Sequence, residues 1–207
     1  QAEALGISLA RLPQITDFRS GIADKLEIKP IAVEDLLGRP QVPLDRDSMQ
    51  RLIEGRRVLI TGAGGSIGSE LVRQICDLAP SKIAIADHSE FALYNADLEI
   101  AEIAPKLTRR SEIADVRDAD RVDQIIAAFR PDLVFHTAAM KHVPIVEQNV
   151  AEGISTNVLG TINVADSCRR HGVGVMVLIS TDKAVNPTSV MGASKRIAET
   201  YCQARDL

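Results

Sequence analysis

The eight residues Thr61-Gly62-Ala63-Gly64-Gly65-Ser66-Ile67-Gly68 constrain this chain more than any other stretch. Before them, Arg57-Val58-Leu59-Ile60-Thr61 is a short apolar run ending in glycines, the pattern of a buried strand. After them, Ile67, Leu71, Val72 and Ile75 recur at helical spacing between Ser66 and Leu78. Gly62, Gly65 and Gly68 therefore stand at G-x-x-G-x-x-G spacing between a strand and a helix. A glycine cluster by itself specifies only a tight turn. In this setting it lets the backbone bend, lets a pyrophosphate approach the main chain, and lets helix and strand pack closely. The first helical residues, Ser66, Ile67 and Gly68, then point free N–H groups and the positive helix end at the phosphates.

The alternation continues along the chain. Lys82 to Ala86, Glu112 to Ala114, Asp132 to Thr137 and Val173 to Ser180 read as strands. Glu90 to Ile103, Asp118 to Phe129, Ile154 to His171 and Val190 to about Arg205 read as helices. Strands separated by helices imply right-handed crossovers and a parallel sheet, and strands hydrophobic throughout imply helices on both faces. The predicted fold is α/β, a Rossmann-like doubly wound parallel sheet over residues 51–207. Residues 1–50 differ: they hold Pro13, Pro30, Pro40 and Pro43 with dense charge, and read as a linker or an irregular N-terminal arm. Within them, Ile28 to Ile31 reads as a short strand and Val33 to Leu37 as one helical turn.

Composition narrows the function classes. The 207 residues carry a net charge of −4 with both signs spread along the chain, so there is no basic stripe of the kind nucleic acid requires. No apolar run approaches the roughly 20 residues of a membrane span, and the opening QAEALGIS carries no signal peptide and reads as the middle of something longer. Cys76, Cys168 and Cys202 are far apart, make no metal spacing, and read as buried reduced thiols of a cytoplasmic protein.

Asp87 ends the second strand at the distance where an acid accepts hydrogen bonds from an adenosine ribose. No arginine or lysine follows before Phe91, so a 2′-phosphate would meet repulsion and NAD is expected over NADP. The alternative role for Asp87 is the N-cap of the next helix. Asp115, after the third strand, suits the adenine amino group, with a helix cap again the alternative.

Five segments carry a more specific pattern: Thr61 to Gly68; Asp115-Val116; His136-Thr137-Ala138-Ala139-Met140-Lys141-His142-Val143-Pro144; Asn157-Val158-Leu159-Gly160-Thr161; and Ser180-Thr181-Asp182-Lys183-Ala184-Val185-Asn186-Pro187. Together they resemble the extended short-chain dehydrogenase/reductases, and within them the UDP-N-acetylglucosamine 4,6-dehydratases of bacterial capsule, lipopolysaccharide and glycan synthesis. The resemblance covers roughly residues 51–207. It implies an NAD site built from Gly62, Gly65, Ser66, Ile67, Gly68, Asp87, Asp115, Val116, Ala138, Ala139, Lys141, Ser180 and Lys195, and no metal. It implies a UDP-sugar substrate, leaves homo-oligomerisation open, and suggests a parent anchored in the bacterial inner membrane with its catalytic part on the cytoplasmic side.

Two departures matter. Most of the superfamily has Tyr-x-x-x-Lys, whereas here the spacing reads Met191-Gly192-Ala193-Ser194-Lys195. Methionine carries no proton, and the long membrane-anchored dehydratases resemble this chain in having it. Family members also continue past the lysine helix into a smaller sugar-binding domain, so the chain reads as a fragment expected to lack dehydratase activity alone. The implied reaction removes water without net redox change: hydride leaves sugar carbon 4 for NAD, the carbon 5 proton and carbon 6 hydroxyl are lost, and hydride returns to carbon 6. By resemblance Thr181 hydrogen-bonds the carbon 4 oxygen, Asp182 is the acid for the departing water, Lys183 the base at carbon 5, and Lys195 the binder of the nicotinamide ribose. The alternative for Asp182-Lys183 is a solvated charged pair, for Met191 core packing, and for His136 and His142 satisfied, partly buried histidines. The competing functions are a 4-epimerase or reductase of the same fold, and a non-catalytic NAD-sensing module.

Overall fold

The computed structural model of the chain describes residues 10–11, 29–30 and 45–205. Two compact units divide it at Asp45. In the first, β1 (Ala10–Arg11) pairs antiparallel with β2 (Lys29–Pro30). The expected strand at Ile28 to Ile31 is thus present at its centre, and the expected turn at Val33 to Leu37 lies outside the described residues.

The second unit opens with α1 (Arg46–Ile53), so the arm expected through residue 50 overlaps a helix of the folded unit. Its Ile53 is buried in the core and Leu52 packs on it. There follow β3 (Arg57–Thr61), α2 (Ser66–Asp77), β4 (Lys82–Asp87), α3 (Glu90–Ile103), β5 (Thr108–Ile113), α4 (Ala119–Phe129) and β6 (Leu133–His136). Then come α5 (Val143–Gln148), α6 (Val150–Ile154), a π-helical turn (Ser155–Leu159), α7 (Gly160–Arg170), β7 (Val175–Leu178), a single 3₁₀ turn (Asp182–Ala184) and α8 (Val190–Arg205).

The sheet is parallel, with strand order β5-β4-β3-β6-β7. Chain order reverses between β3 and β6, which makes it doubly wound and opens a crevice at the carboxyl ends of those strands. Alternate residues serve opposite faces. Val58, Ile60, Ile83, Ile85, Leu133 and Phe135 pack with Val72 and Ile75 of α2 and Leu93 and Ile100 of α3. Leu59, Ala84, Ala86 and Val134 pack with Val122, Ile126 and Phe129 of α4 and Val164 and Cys168 of α7. At the amino ends of the two central strands, the Arg57 guanidinium forks onto Asp132, Nη2 to Oδ1 at 2.7 Å and Nε to Oδ2 at 3.1 Å, and the Arg57 N–H adds a third bond at 2.8 Å.

Two expectations need correction. The third strand is longer and earlier than Glu112 to Ala114, because its residues Thr108 to Glu112 are polar and pair with charges: Arg109 with Asp97, and Arg110 and Arg121 with Glu112. It is an edge of the sheet, and charge on an edge discourages further pairing. The helix expected from Ile154 to His171 is broken by the π-helical turn, in which the Gly160 N–H reaches back to the Ser155 carbonyl. The region around Pro144 is helical, with the proline in the first turn, where its missing N–H costs nothing.

All three cysteines are free thiols; burial pushes Cys76 up to about 11 and Cys168 up to about 12. Among the described residues no helix is long and apolar enough to cross a membrane.

Candidate functional site

A cleft of about 640 Å³ opens at the carboxyl ends of the strands, within the range of small-molecule sites. Its floor is the glycine turn. Gly62 has φ +71°, and a Cβ there would lie 2.5 Å from the Ala138 nitrogen. At Gly68 a Cβ would overlap the Gly62 carbonyl oxygen, so the helix could not approach the strand. The turn is sealed by Gly62 and Ala63 N–H groups donating to the Ala86 carbonyl, at 2.8 and 3.2 Å. Gly65 precedes α2 with no side-chain cap, which leaves the helix start facing the cleft.

Asp87 is only 7% exposed. Its Oδ2 accepts from the Gly64 N–H at 3.0 Å and its Oδ1 from the Ser89 N–H at 2.9 Å. It braces the turn and lines the cleft at once. It is not the cap of α3: that is Ser89, whose hydroxyl accepts from Ala92 N. Likewise α4 is capped by Asp118 and not by Asp115. Asp115 lines the cleft with its carboxylate held by Arg117, whose hydrogen bonds draw it below the usual carboxylate range.

The opposite wall comes from β6 and β7. Ala138, Ala139, Met140 and Lys141 follow β6, and Ile179, Ser180, Thr181 and Lys183 follow β7. Thr181 Oγ1 donates to Asp182 Oδ1 at 3.0 Å, and Lys183 Nζ lies 3.4 Å from the same oxygen. Those contacts, the threonine first, draw Asp182 below the usual range. Asp182 itself does not line the cleft; Thr181 and Lys183 do. Met191 is buried and lines the cleft where the superfamily tyrosine is expected. One turn along α8, Lys195 is 5% exposed and Nζ donates to the Ile179 carbonyl at 2.7 Å; burial lowers its pKa.

The two histidines differ. His136 is fully buried. Because Thr161 Oγ1 gives its proton to the Asn157 carbonyl at 2.7 Å, it must accept from Nε2–H of His136, at 3.1 Å. Nδ1 is then left to accept from the Thr61 hydroxyl at 2.6 Å. The ring is a neutral, satisfied link between β3 and α7, and burial takes its pKa down to about 3. His142 is exposed on the cleft rim, not partly buried as expected.

Sequence reasoning assigned no role to His88, Arg117 or Asn157. His88 and Arg117 line the cleft. Asn157, fully buried, bonds both main-chain groups of Met140 and the Ser194 hydroxyl. It stood inside a recognised segment, but its partners lie too far along the chain for spacing to reveal.

Comparison with known proteins agrees with this arrangement. The family model described as polysaccharide biosynthesis protein matches residues 58–207. The capsular polysaccharide biosynthesis protein CapD of Staphylococcus aureus is 44% identical over 200 residues, covering 96% of this chain and 33% of that protein. A UDP-N-acetylglucosamine 4,6-dehydratase (inverting) of Campylobacter jejuni is 39% identical over 145 residues, covering 70% of this chain and 42% of that one. This chain therefore spans well under half of either relative. Among solved structures, Pen from Bacillus thuringiensis superposes with a TM-score of 0.66 at 32% identity over 72% of this chain and 44% of that one. The Thermus thermophilus UDP-glucose 4-epimerase in complex with NAD does so at 0.57 and 26%, over 72% and 50%. With the doubly wound sheet, the glycine turn and a match across most of its length, the chain belongs to the polysaccharide biosynthesis protein family, on the fold of the extended short-chain dehydrogenase/reductases.

Proposed function

We propose that this chain is the NAD-binding part of a nucleotide-sugar 4,6-dehydratase that converts UDP-N-acetylglucosamine to its 4-keto-6-deoxy product in bacterial surface polysaccharide synthesis. The observation that carries the reading is one cleft lined by the glycine turn, Thr181, Lys183, Lys195 and a methionine in the tyrosine's position. The names of the Staphylococcus and Campylobacter relatives support it. The resemblance to long dehydratases further suggests a parent at the cytoplasmic face of the inner membrane.

The residues present fit a dinucleotide. Gly62 and Gly68 let strand, loop and helix close tightly beneath the cleft, the start of α2 lacks a side-chain cap, and Asp87 presents a fixed carboxylate at the end of β4. NAD bound there supplies a reversible hydride acceptor. The remaining work falls to the chain. Thr181 offers its hydroxyl to the oxygen on carbon 4. Lys183, on the cleft wall, takes the carbon 5 proton, and substrate must desolvate it for that role. Asp182 is a carboxylate in the free chain, because Thr181 and Lys183 stabilise its charge. It becomes the acid for the carbon 6 hydroxyl by first taking up the proton that the carbon 4 hydroxyl loses on oxidation, relayed through the Thr181 hydroxyl that already donates to it. Lys195, anchored on Ile179, orients the ribose and adds positive charge beside the reacting hydroxyl.

The test is incubation of the full-length enzyme carrying this chain with UDP-N-acetylglucosamine and NAD. A 4-keto-6-deoxy sugar supports the reading. A 4-epimer formed without loss of water points instead to an epimerase, and NAD binding without any turnover to a sensing module.

A further inference from the structure

Outside the cleft, one carboxylate ties α5 to the start of α8. Val146 of α5 is buried, and a Cβ at Gly153 of α6 would lie 2.6 Å from its Cγ1, so α5 is seated hard against α6. The next residue, Glu147, is exposed, yet its Oε1 accepts from the Val190 N–H at 2.7 Å. Val190 is the first residue of α8. Its N–H is one of those that a helix start leaves without an internal partner, and a carboxylate there also meets the positive helix end. Among the described residues this is the one hydrogen bond that reaches the first turn of α8 from another element. The other cap is local: Ser189 Oγ accepts from the Gly192 N–H at 3.1 Å.

That first turn rests on the main chain of Lys183. A Cβ at Gly192 would overlap the Lys183 carbonyl oxygen and lie 3.3 Å from Pro187 Cβ. The stretch joining the 3₁₀ turn to α8 passes through Asn186 at φ +48°, a left-handed backbone that few non-glycine residues adopt. Such a conformation persists only where surrounding contacts hold it. The bend therefore does not by itself set where the helix begins, and the bond from Glu147 does.

We infer that Glu147 is a positioning residue for Lys183: by holding the first turn of α8 it fixes the support on which the Lys183 main chain lies, and with it the reach of the Lys183 amine into the cleft. This rests on the reading that Lys183 takes the carbon 5 proton. Glu147 itself touches no substrate. A surface cap with only a structural part would change stability and leave the steps of turnover in proportion. A base set back from its proton slows the deprotonation and spares the hydride step that precedes it, so the two cases are separable.

The experiment compares the full-length enzyme with its Glu147→Ala and Glu147→Gln variants. In hydrogen–deuterium exchange, Glu147→Ala should exchange faster at the first turn of α8 and at the unmodified rate in α7. Its kcat should fall by roughly tenfold or more, while KM for UDP-N-acetylglucosamine and affinity for NAD stay within about threefold. Reduced nicotinamide should accumulate in a single turnover, because oxidation at carbon 4 outruns loss of the carbon 5 proton. Glu147→Gln keeps an acceptor oxygen and should recover most of the loss. Wild-type kcat in Glu147→Ala overturns the inference, and so does unchanged exchange, an equal loss of NAD affinity, or slow turnover without accumulated reduced nicotinamide. If the unmodified enzyme forms no 4-keto-6-deoxy sugar, the dehydratase reading fails and the role for Lys183 falls with it. Faster exchange in Glu147→Ala then shows that the fault lies in that reading and not in the hold on α8. Should Glu147→Ala not fold, Glu147→Asp, one methylene short of Val190, decides by the same readouts.

Discussion

Asn157 holds the main chain of Met140 from both sides: its Oδ1 accepts from the Met140 N–H at 2.8 Å and its Nδ2 donates to the Met140 carbonyl at 3.0 Å. The same Nδ2 donates to Ser194 Oγ at 2.9 Å. One buried carboxamide therefore joins the loop bearing Ala138, Ala139 and Lys141 to the helix bearing Lys195. It does so from a π-helical turn, a local feature that recurs at functional sites.

Asn157→Ala should accordingly leave the Met140 groups without partners and cost about 1–3 kcal/mol. Urea denaturation measures this directly. In the active enzyme the same change should lower turnover more than NAD affinity, because it frees the loop and helix nearest the reacting end. An unchanged denaturation midpoint would remove Asn157 from this role.

Cofactor choice follows from Asp87. The chain should bind NAD more tightly than NADP, and Asp87→Ala should narrow the gap. Since the carboxylate also accepts from Gly64 and Ser89, NAD itself should bind at least about tenfold more weakly in the variant, as expected for a lost charged hydrogen bond. Tighter binding of NADP by the unmodified chain would show that Asp87 does not meet the ribose.

The acid–base assignment predicts that Asp182→Asn and Lys183→Ala each lower turnover by about 10²–10⁴-fold while NAD binding is retained. Met191→Ala should do much less, because it removes packing and no proton carrier. Product formed in heavy water should carry deuterium at carbon 5, and Lys183→Ala should lose both product and label. Full activity in Lys183→Ala, or Met191→Ala as the worst of the three, would overturn the assignment.

A pH effect follows from His136. Unfolded, the ring titrates near its ordinary 6.5; folded, burial and the nearby Lys195 charge hold it at about 3. Between those values the unfolded chain binds a proton that the folded chain does not. The contribution is therefore complete above pH 6.5 and is lost as pH falls toward 3, with a slope of up to about 1.4 kcal/mol per pH unit. Melting temperatures across this window should fall with acid, and His136→Asn should flatten that portion of the curve. An identical acid slope in the variant would assign the effect to another group.

The sheet was legible where burial is two-sided. Runs such as Val58-Leu59-Ile60 and Ile83-Ala84-Ile85 can hardly be anything else. β5 was read short because an edge strand carries its charge openly, and periodicity cannot register that Arg109 has Asp97 to meet and Arg110 has Glu112. The break at Ser155 to Leu159 was invisible because one residue more per turn scarcely alters an apolar stripe. α1 was missed because it is short and mostly polar, with Ile53 its one buried residue. At the site, glycine and aspartate positions were readable from local spacing. The grip of Glu152 on Arg117 spans 35 positions and depends on how two elements meet in space. That Asp182 stands off the cleft wall depends on the direction a single 3₁₀ turn takes.

The three-point fork between Arg57 and Asp132 lies at the amino ends of β3 and β6, a full strand length from the glycine turn. It gives the molecule a heel and a toe. The heel is where the two halves of the winding are riveted, and it needs neither glycine nor open backbone. The toe can then be shaped by what the cleft demands, because the registry of the strands beneath it is secured at the other end.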